Sequence, residues 1–249
     1  INSTASISLV PDPVASISSY TWNFGDNTTA STATAPAHTF PTYGTYTLVY
    51  SATSNQGCVS SVTNTVLIHP LVQSAISASN FCLGNSTAFS NTSTIVSGNV
   101  ASYAWNLGDG TTASSQNTQH VYQLPGTYPV SFTATSNNGC LTTNNTNVVI
   151  HPIPYVALSG NNVCEGLGTT FVNTSSISPG SITSYTWNFG DGSNNSNLIT
   201  PPHTYTQANV YTVSLTAVSN QGCINSATTA VTSYPLPQIS FSAPATCMN

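Results

Sequence analysis

Three tryptophans recur at near-equal steps, Trp22, Trp105 and Trp187, and each sits in almost the same string: SYTWNFGD, SYAWNLGDG and SYTWNFGDG. They lie 83 and 82 residues apart, and other landmarks keep the step. His38, His120 and His203 follow; Gly44, Gly126 and Asn209 open GTY, GTY and NVY; TSNQGC, TSNNGC and VSNQGC end at Cys58, Cys140 and Cys223; Pro70, Pro152 and Pro235 close each unit. A period near 83 is too long for a solenoid turn or a propeller blade and suits a small independent domain. The chain is therefore a tandem array. Its units are expected at residues 1–70, 71–152 and 153–235, the first without its opening strand, with 236–249 supplying the opening strand of a following unit.

Inside each unit the period is two. Tyr46, Leu48, Tyr50 and Ala52 alternate with Thr47, Val49 and Ser51, and Tyr128, Val130, Phe132, Ala134 and Tyr211, Val213, Leu215, Ala217 repeat the pattern. Alternation over this length predicts strands with one buried face, and no segment keeps helical spacing. Turn clusters such as Gly-Asp-Gly and Asn-Gln-Gly separate the runs, so each unit is expected to hold seven or so short strands in a two-sheet sandwich. Pro129 breaks the rule for a central strand, which is expected to start late or to bulge there.

The string W-N-F-G-D-G, followed by H-T-F or H-T-Y, then G-T-Y and an alternating strand, resembles the PKD (polycystic kidney disease) domain, whose usual signature is W-D-F-G-D-G. The resemblance covers essentially the whole chain and implies an all-β, immunoglobulin-like sandwich, repeated in a head-to-tail rod. Asn23, Asn106 and Asn188 stand where the usual first aspartate would be, which keeps the turn chemistry and removes a carboxylate. The paired cysteines are similar to those of PKD-like repeats in bacterial cell-surface and gliding-motility adhesins, where the resemblance implies stalks.

Composition narrows the function. The chain has no lysine or arginine, where an average chain of 249 residues would carry on the order of two dozen. Nucleic-acid binding, phosphate clamping and Schiff-base chemistry lose their usual residues, as does a lysine–asparagine crosslink. Disorder does not follow, because the hydrophobic fraction is 39%, enough for several small cores. Apolar runs such as Val148 to Ile150 fall far short of the roughly 20 residues that span a bilayer, so no membrane insertion by this segment is expected. Polarity carried by Ser, Thr and Asn fits an extracellular setting, at the cell surface or secreted. Without an initiator Met or leader-like segment, the chain reads as a mature product or a fragment. Ile1-Asn2-Ser3-Thr4 aligns with Leu167 to Thr170, and Cys247-Met248-Asn249 with Cys164 to Gly166, so joining end to start would recreate a normal repeat.

Cysteines at 58, 82, 140, 164, 223 and 247 read as disulfides in such a setting. Spacing alone would join Cys58 to Cys82, but a last strand of about ten residues at about 3.3 Å each carries the chain ~30 Å away first. Two schemes stay open. Bridges within a domain would join Cys82 to Cys140 and Cys164 to Cys223, although alternating strands put the first and last turns at opposite poles. A staple between neighbours would join Cys82 to Cys223 and leave Cys58, Cys140, Cys164 and Cys247 to pair outside the fragment. The staple ranks first.

Asp26, Asp109 and Asp191 are weak calcium candidates, since calcium takes six to eight oxygens and each domain offers about one carboxylate. A turn aspartate accepting local N–H bonds is the stronger reading. His38, His120 and His203 have no ligand set around them in sequence and are expected to pack at a strand end. His69 and His151 precede the closing prolines, where Tyr234 replaces them in the third unit. No G-x-S-x-G elbow or comparable nucleophile motif occurs, so no catalytic residue and no cofactor is expected. The tryptophans are expected in cores, not on sugars. Asn-x-Ser/Thr at Asn2, Asn27, Asn85, Asn91, Asn144, Asn173 and Asn194 permits glycosylation without predicting it. The expected role is a structural or adhesive segment of an extracellular bacterial stalk or filament, partnered by neighbouring copies of the repeat and by surface polysaccharide or protein ligands, not by nucleic acid. The alternative is an accessory module of a secreted hydrolase that binds carbohydrate or protein.

Overall fold

The computed structural model describes residues 3–6, 16–28, 30–33, 36–79 and 81–243. Every regular element among them is a β-strand, as the alternation requires. Two compact units divide the chain, Ile1–Ser79 with Ala88–His120 and Tyr128–Val148, and Asn80–Thr87 with Val121–Thr127 and Val149–Asn249.

Strands β1 to β12 belong chiefly to the first unit. The first repeat carries β1 (Ser3–Ser6), β2 (Ile17–Asn23), β3 (Ala37–Phe40), β4 (Gly44–Ser54) and β5 (Val59–Ile68). They form a β1-β3 pair and a β2-β4-β5 sheet. The second repeat carries β6 (Ile76–Ser79), β7 (Thr87–Asn91), β8 (Val100–Asn106), β9 (Thr112–Ala113), β10 (Thr118–His120), β11 (Gly126–Ser136) and β12 (Leu141–Ile150). Its sheets run β10-β7-β6 and β12-β11-β8-β9. Aromatic rings close the layers on each other: Phe89 of β7 meets Trp105 of β8 at 5.7 Å, and Phe40 of β3 meets Tyr46 of β4 at 4.5 Å. Trp105 in turn lies 4.3 Å from Phe132.

The second unit holds β13 (Leu158–Gly160), β14 (Val163–Cys164), β15 (Gly168–Asn173), β16 (Ile182–Asn188), β17 (Pro202–Thr204), β18 (Asn209–Ser219) and β19 (Ile224–Tyr234). These seven strands make the two-sheet sandwich that the turn spacing predicts, β13-β15-β17 and β14-β19-β18-β16. Along β18 every second side chain is buried, Tyr211, Val213, Leu215 and Ala217, and they join Val156, Phe171, Trp187, Phe189, Tyr205 and Val231 in one core. Burial of each large apolar side chain is worth about 1.5–3 kcal/mol, so this alternation supplies most of the fold's drive. The first repeat has a smaller core, Trp22, Phe24, Phe40 and Leu48.

Pro129 departs from expectation. β11 starts at Gly126 and runs eleven residues, as β4 and β18 do, so the strand is not shortened. The register shift of β11 lies at its other end, between Thr135 and Ser136. The reason is where residue 129 looks. Its N and O face Gly108, in the turn past the end of β8, so the lost N–H belongs to no ladder. Of the strand expected in 236–249, residues 236–243 belong to no sheet, and 244–249 lie outside the described residues.

Candidate functional site: the aspartate–histidine and cysteine turns

The Trp-Asn-x-Gly-Asp segment ends β2, β8 and β16 in the same way. The asparagine side chain folds back, Asn23, Asn106 and Asn188 accepting the N–H of Gly25, Gly108 and Gly190 at 2.9, 3.0 and 2.9 Å. The glycines sit at φ +73°, +86° and +80°, and a Cβ there would lie 2.5, 2.8 and 2.4 Å from the carbonyl oxygens of Thr47, Pro129 and Thr212. Only glycine fits the turn and the close backbone approach together. The tryptophans are core: each indole N–H donates at 3.0 Å to a backbone carbonyl, of Ala33, Ser115 and Leu198.

The aspartates have both oxygens engaged. Asp26 Oδ1 accepts the N–H and hydroxyl of Thr28 at 3.2 and 2.6 Å; Asp109 accepts the Thr111 N–H and Asp191 the Ser193 N–H, both at 3.0 Å. Oδ2 of each meets a histidine Nε2: Asp26–His38 at 2.6 Å, Asp109–His120 at 2.6 Å and Asp191–His203 at 2.7 Å. The imidazoles are stacked as well. His38 lies on Phe24 with centroids 3.8 Å apart and planes within 1°, and His203 on Phe189 at 4.0 Å and 2°. Phe40 and Tyr205 meet the same two rings in T-shaped contacts at 4.7 and 4.6 Å. In the second repeat Leu107 takes the phenylalanine's place and is buried. Burial pushes the Asp191 carboxyl up, but the Ser193 hydroxyl and N–H and the His203 ring outweigh it and hold the carboxyl below the usual range. Asp26 and Asp109 are held low in the same way, burial opposing, with Thr28 and His38 or Thr111 and His120 prevailing. Burial also pushes the Tyr205 phenol up, with Asp191 and Tyr211 adding to it.

This pairing is the feature that reading the aspartates and histidines one by one misses. The signal was present as a co-recurrence: Asp and His repeat together at separations of 12, 11 and 12 residues. Chemically the pair is a lock on the turn. The carboxylate fixes the ring, and the ring ties the turn to β3, β10 or β17. Among the described residues no three His, Cys, Asp or Glu side chains converge as a metal-binding group. His151 works through its backbone, donating its N–H to Phe81 and accepting from Leu83 at 2.7 and 2.9 Å. Tyr234 accepts from Glu165 at 2.8 Å in the equivalent place, which is why the side chain there is free to change. His69 lines an apolar cleft with Pro41, Tyr43 and Val96. Of the glycosylation candidates, Asn27, Asn85 and Asn194 are exposed; Asn144 spends its amide on the Ser74 carbonyl at 3.0 Å, and Asn2 lies outside the described residues.

The cysteine turn is rigid for reasons local to S-N-x-G-C. Ser54, Ser136 and Ser219 accept the N–H of Cys58, Cys140 and Cys223 at 3.2, 3.2 and 3.0 Å, while Gly57, Gly139 and Gly222 supply the positive φ. Within the second unit Cys223 is bonded to Cys82, with Cα atoms 5.5 Å apart and a sequence separation of 141. The within-domain bridges Cys82–Cys140 and Cys164–Cys223 are therefore not formed. Cys58, Cys140 and Cys164 are free thiols, and Cys247 lies outside the described residues.

A family model described as the PKD domain matches residues 2–69, 68–150 and 151–233. The chain belongs to the PKD domain family. The disulfide thus joins the second PKD match to the third. Asn23, Asn106 and Asn188 differ from the aspartate of the usual PKD signature yet still close the turn. Collagenase ColA of Bacillus cereus is 35% identical over 94 residues, 38% of this chain and 10% of that protein. A pre-pro-metalloprotease of Vibrio cholerae, PrtV, is 43% identical over 58 residues, 23% of this chain and 6% of that protein. The chain spans about a tenth or less of the length of these relatives. Among solved structures, the PKD1 domain of Vibrio anguillarum Epp is 31% identical, with 34% of this chain and 96% of that one covered and a TM-score of 0.31.

Proposed function

We propose that the chain is a force-transmitting segment of an extracellular stalk or filament of PKD repeats, with no catalytic role of its own. The observation that carries this reading is the covalent bond between the second and third PKD matches, Cys82–Cys223. A module that merely tethers a neighbour needs no such staple, whereas a spacer under load gains from one. The long antiparallel ladders suit the same task, since β4 and β5 register ten residue pairs and β18 and β19 another ten. A disulfide favours an oxidising compartment, and a surface polar through Ser, Thr and Asn, with no Lys or Arg, holds by contacts that salt does not screen. No helix among the described residues is long and apolar enough to cross a membrane. Partners in this reading are neighbouring copies of the repeat.

A second reading, an accessory module that binds carbohydrate or protein beside a catalytic domain, is favoured by the relatives, which are named as collagenases and a metalloprotease. Electron microscopy of the intact protein separates the two. A uniform beaded fibre supports the stalk. One globular body with a short tail overturns it in favour of the accessory module.

A further inference from the structure

Cys140 and Cys164 are each built as one half of the bond that Cys82 and Cys223 make. In the bonded last turn, Ser219 Oγ accepts the Cys223 N–H at 3.0 Å, and the Ser219 N–H donates to the Cys223 carbonyl at 2.9 Å. Ser136 makes the same two bonds with Cys140 at 3.2 and 2.8 Å, and Ser54 with Cys58 at 3.2 and 2.9 Å. In the bonded first turn, Cys82 pairs in parallel with His151, and the Asn85 N–H closes on the Cys82 carbonyl at 3.1 Å. Cys164 pairs in parallel with Tyr234, and the Leu167 N–H closes on the Cys164 carbonyl at 3.1 Å. The backbone that presents the sulfur is thus the same in the bonded and unbonded copies. The thiols are also reachable: Cys58 is exposed, and Cys140 and Cys164 are half-buried.

We propose that Cys82–Cys223 is one rung of a ladder, in which the first-turn cysteine of every repeat bonds the last-turn cysteine of the next. Cys164 then takes the last-turn cysteine of a following PKD repeat, and Cys140 the first-turn cysteine of a preceding one. The partner is specified by its turn, another S-N-x-G-C segment at one repeat's remove. Each rung forms by thiol–disulfide exchange: the two thiols lose two protons and two electrons to a disulfide oxidant, which leaves as the dithiol. The inference deepens the stalk reading and rests on it for the presence of natural neighbours.

The test supplies the neighbour. Two copies of the 249-residue segment are joined end to start, where Cys247-Met248-Asn249 followed by Ile1-Asn2-Ser3 restores a repeat. The fusion is folded in a glutathione redox buffer, alkylated, and digested with pepsin at acid pH, because trypsin has no site in a chain without Lys or Arg. Mass mapping without reduction is expected to show Cys164 of the first copy linked to Cys58 of the second, and Cys247 of the first to Cys140 of the second. The Cys82–Cys223 bridge in each copy reports that the fusion has folded. Recovery of Cys164 only as an alkylated thiol, or linked to Cys140, in molecules whose Cys82–Cys223 bridges are intact overturns the ladder. That failure leaves the stalk reading standing, and a globular micrograph of the natural protein would overturn the stalk while the bridges found in the fusion stand.

Discussion

His203 Nε2 lies 2.7 Å from Asp191 Oδ2, and the imidazole is pinned flat against Phe189. The carboxyl is held below its usual value of 3.8, so it contributes stability that is fully present above that pH and lost as pH falls through the lower folded value. Asp26 and Asp109 carry the same sign. Thermal unfolding followed by circular dichroism is therefore expected to hold steady from neutral pH to about 4 and to fall in midpoint below it. Asp191→Asn should cost about 1 kcal/mol at neutral pH and flatten the acid limb of the third repeat. An unchanged acid limb in the variant would show that the pair does not set it.

Gly190 and Gly222 share a positive φ, +80° and +78°, but not their surroundings. A Cβ on Gly190 would lie 2.4 Å from the Thr212 carbonyl oxygen, while one on Gly222 would meet nothing within 4 Å. Gly222→Ala is expected to cost about 1–2 kcal/mol, the left-handed penalty alone. Gly190→Ala carries that penalty plus a backbone clash and should cost about 1–3 kcal/mol more. Urea unfolding of the two variants tests the difference, and equal losses would refute the close approach.

What was legible in the sequence was whatever repeats or alternates. Tyr211, Val213, Leu215 and Ala217 are buried as their period requires, and Trp22, Trp105 and Trp187 are core as their place in a sandwich implies. The Asp–His pair escaped because it joins two elements, a turn and a strand 12 residues on, and neither residue alone announces a partner. Pro129 misled for the opposite reason. The sequence names its missing N–H but not the direction in which that N–H would point, which only the pairing of β8 with β11 decides.

Pro129→Thr puts in the residue that β4 carries at the equivalent Thr47. A proline that broke a ladder would cost about 3 kcal/mol, and its removal would restore a comparable amount. Since residue 129 faces the Gly108 turn, the substitution is expected to change stability by no more than about 0.5 kcal/mol. A gain above about 2 kcal/mol by chemical denaturation would mean that the proline does interrupt pairing.

The Cys82–Cys223 bond closes a span of 141 residues, and cross-links over long spans restrain the unfolded chain most, typically by about 2–4 kcal/mol. Reduction should therefore lower the unfolding midpoint of the second and third repeats and leave the first, which shares no residue with the bond, where it was. Tryptophan substitutions provide the readout, one repeat at a time: a chain keeping only Trp187, with Phe at Trp22 and Trp105, reports the third repeat, and one keeping only Trp22 reports the first. The Trp187 chain is expected to shift on reduction and the Trp22 chain to stay fixed. Equal shifts in both would mean that the bond restrains the chain as a whole instead of the repeats it joins.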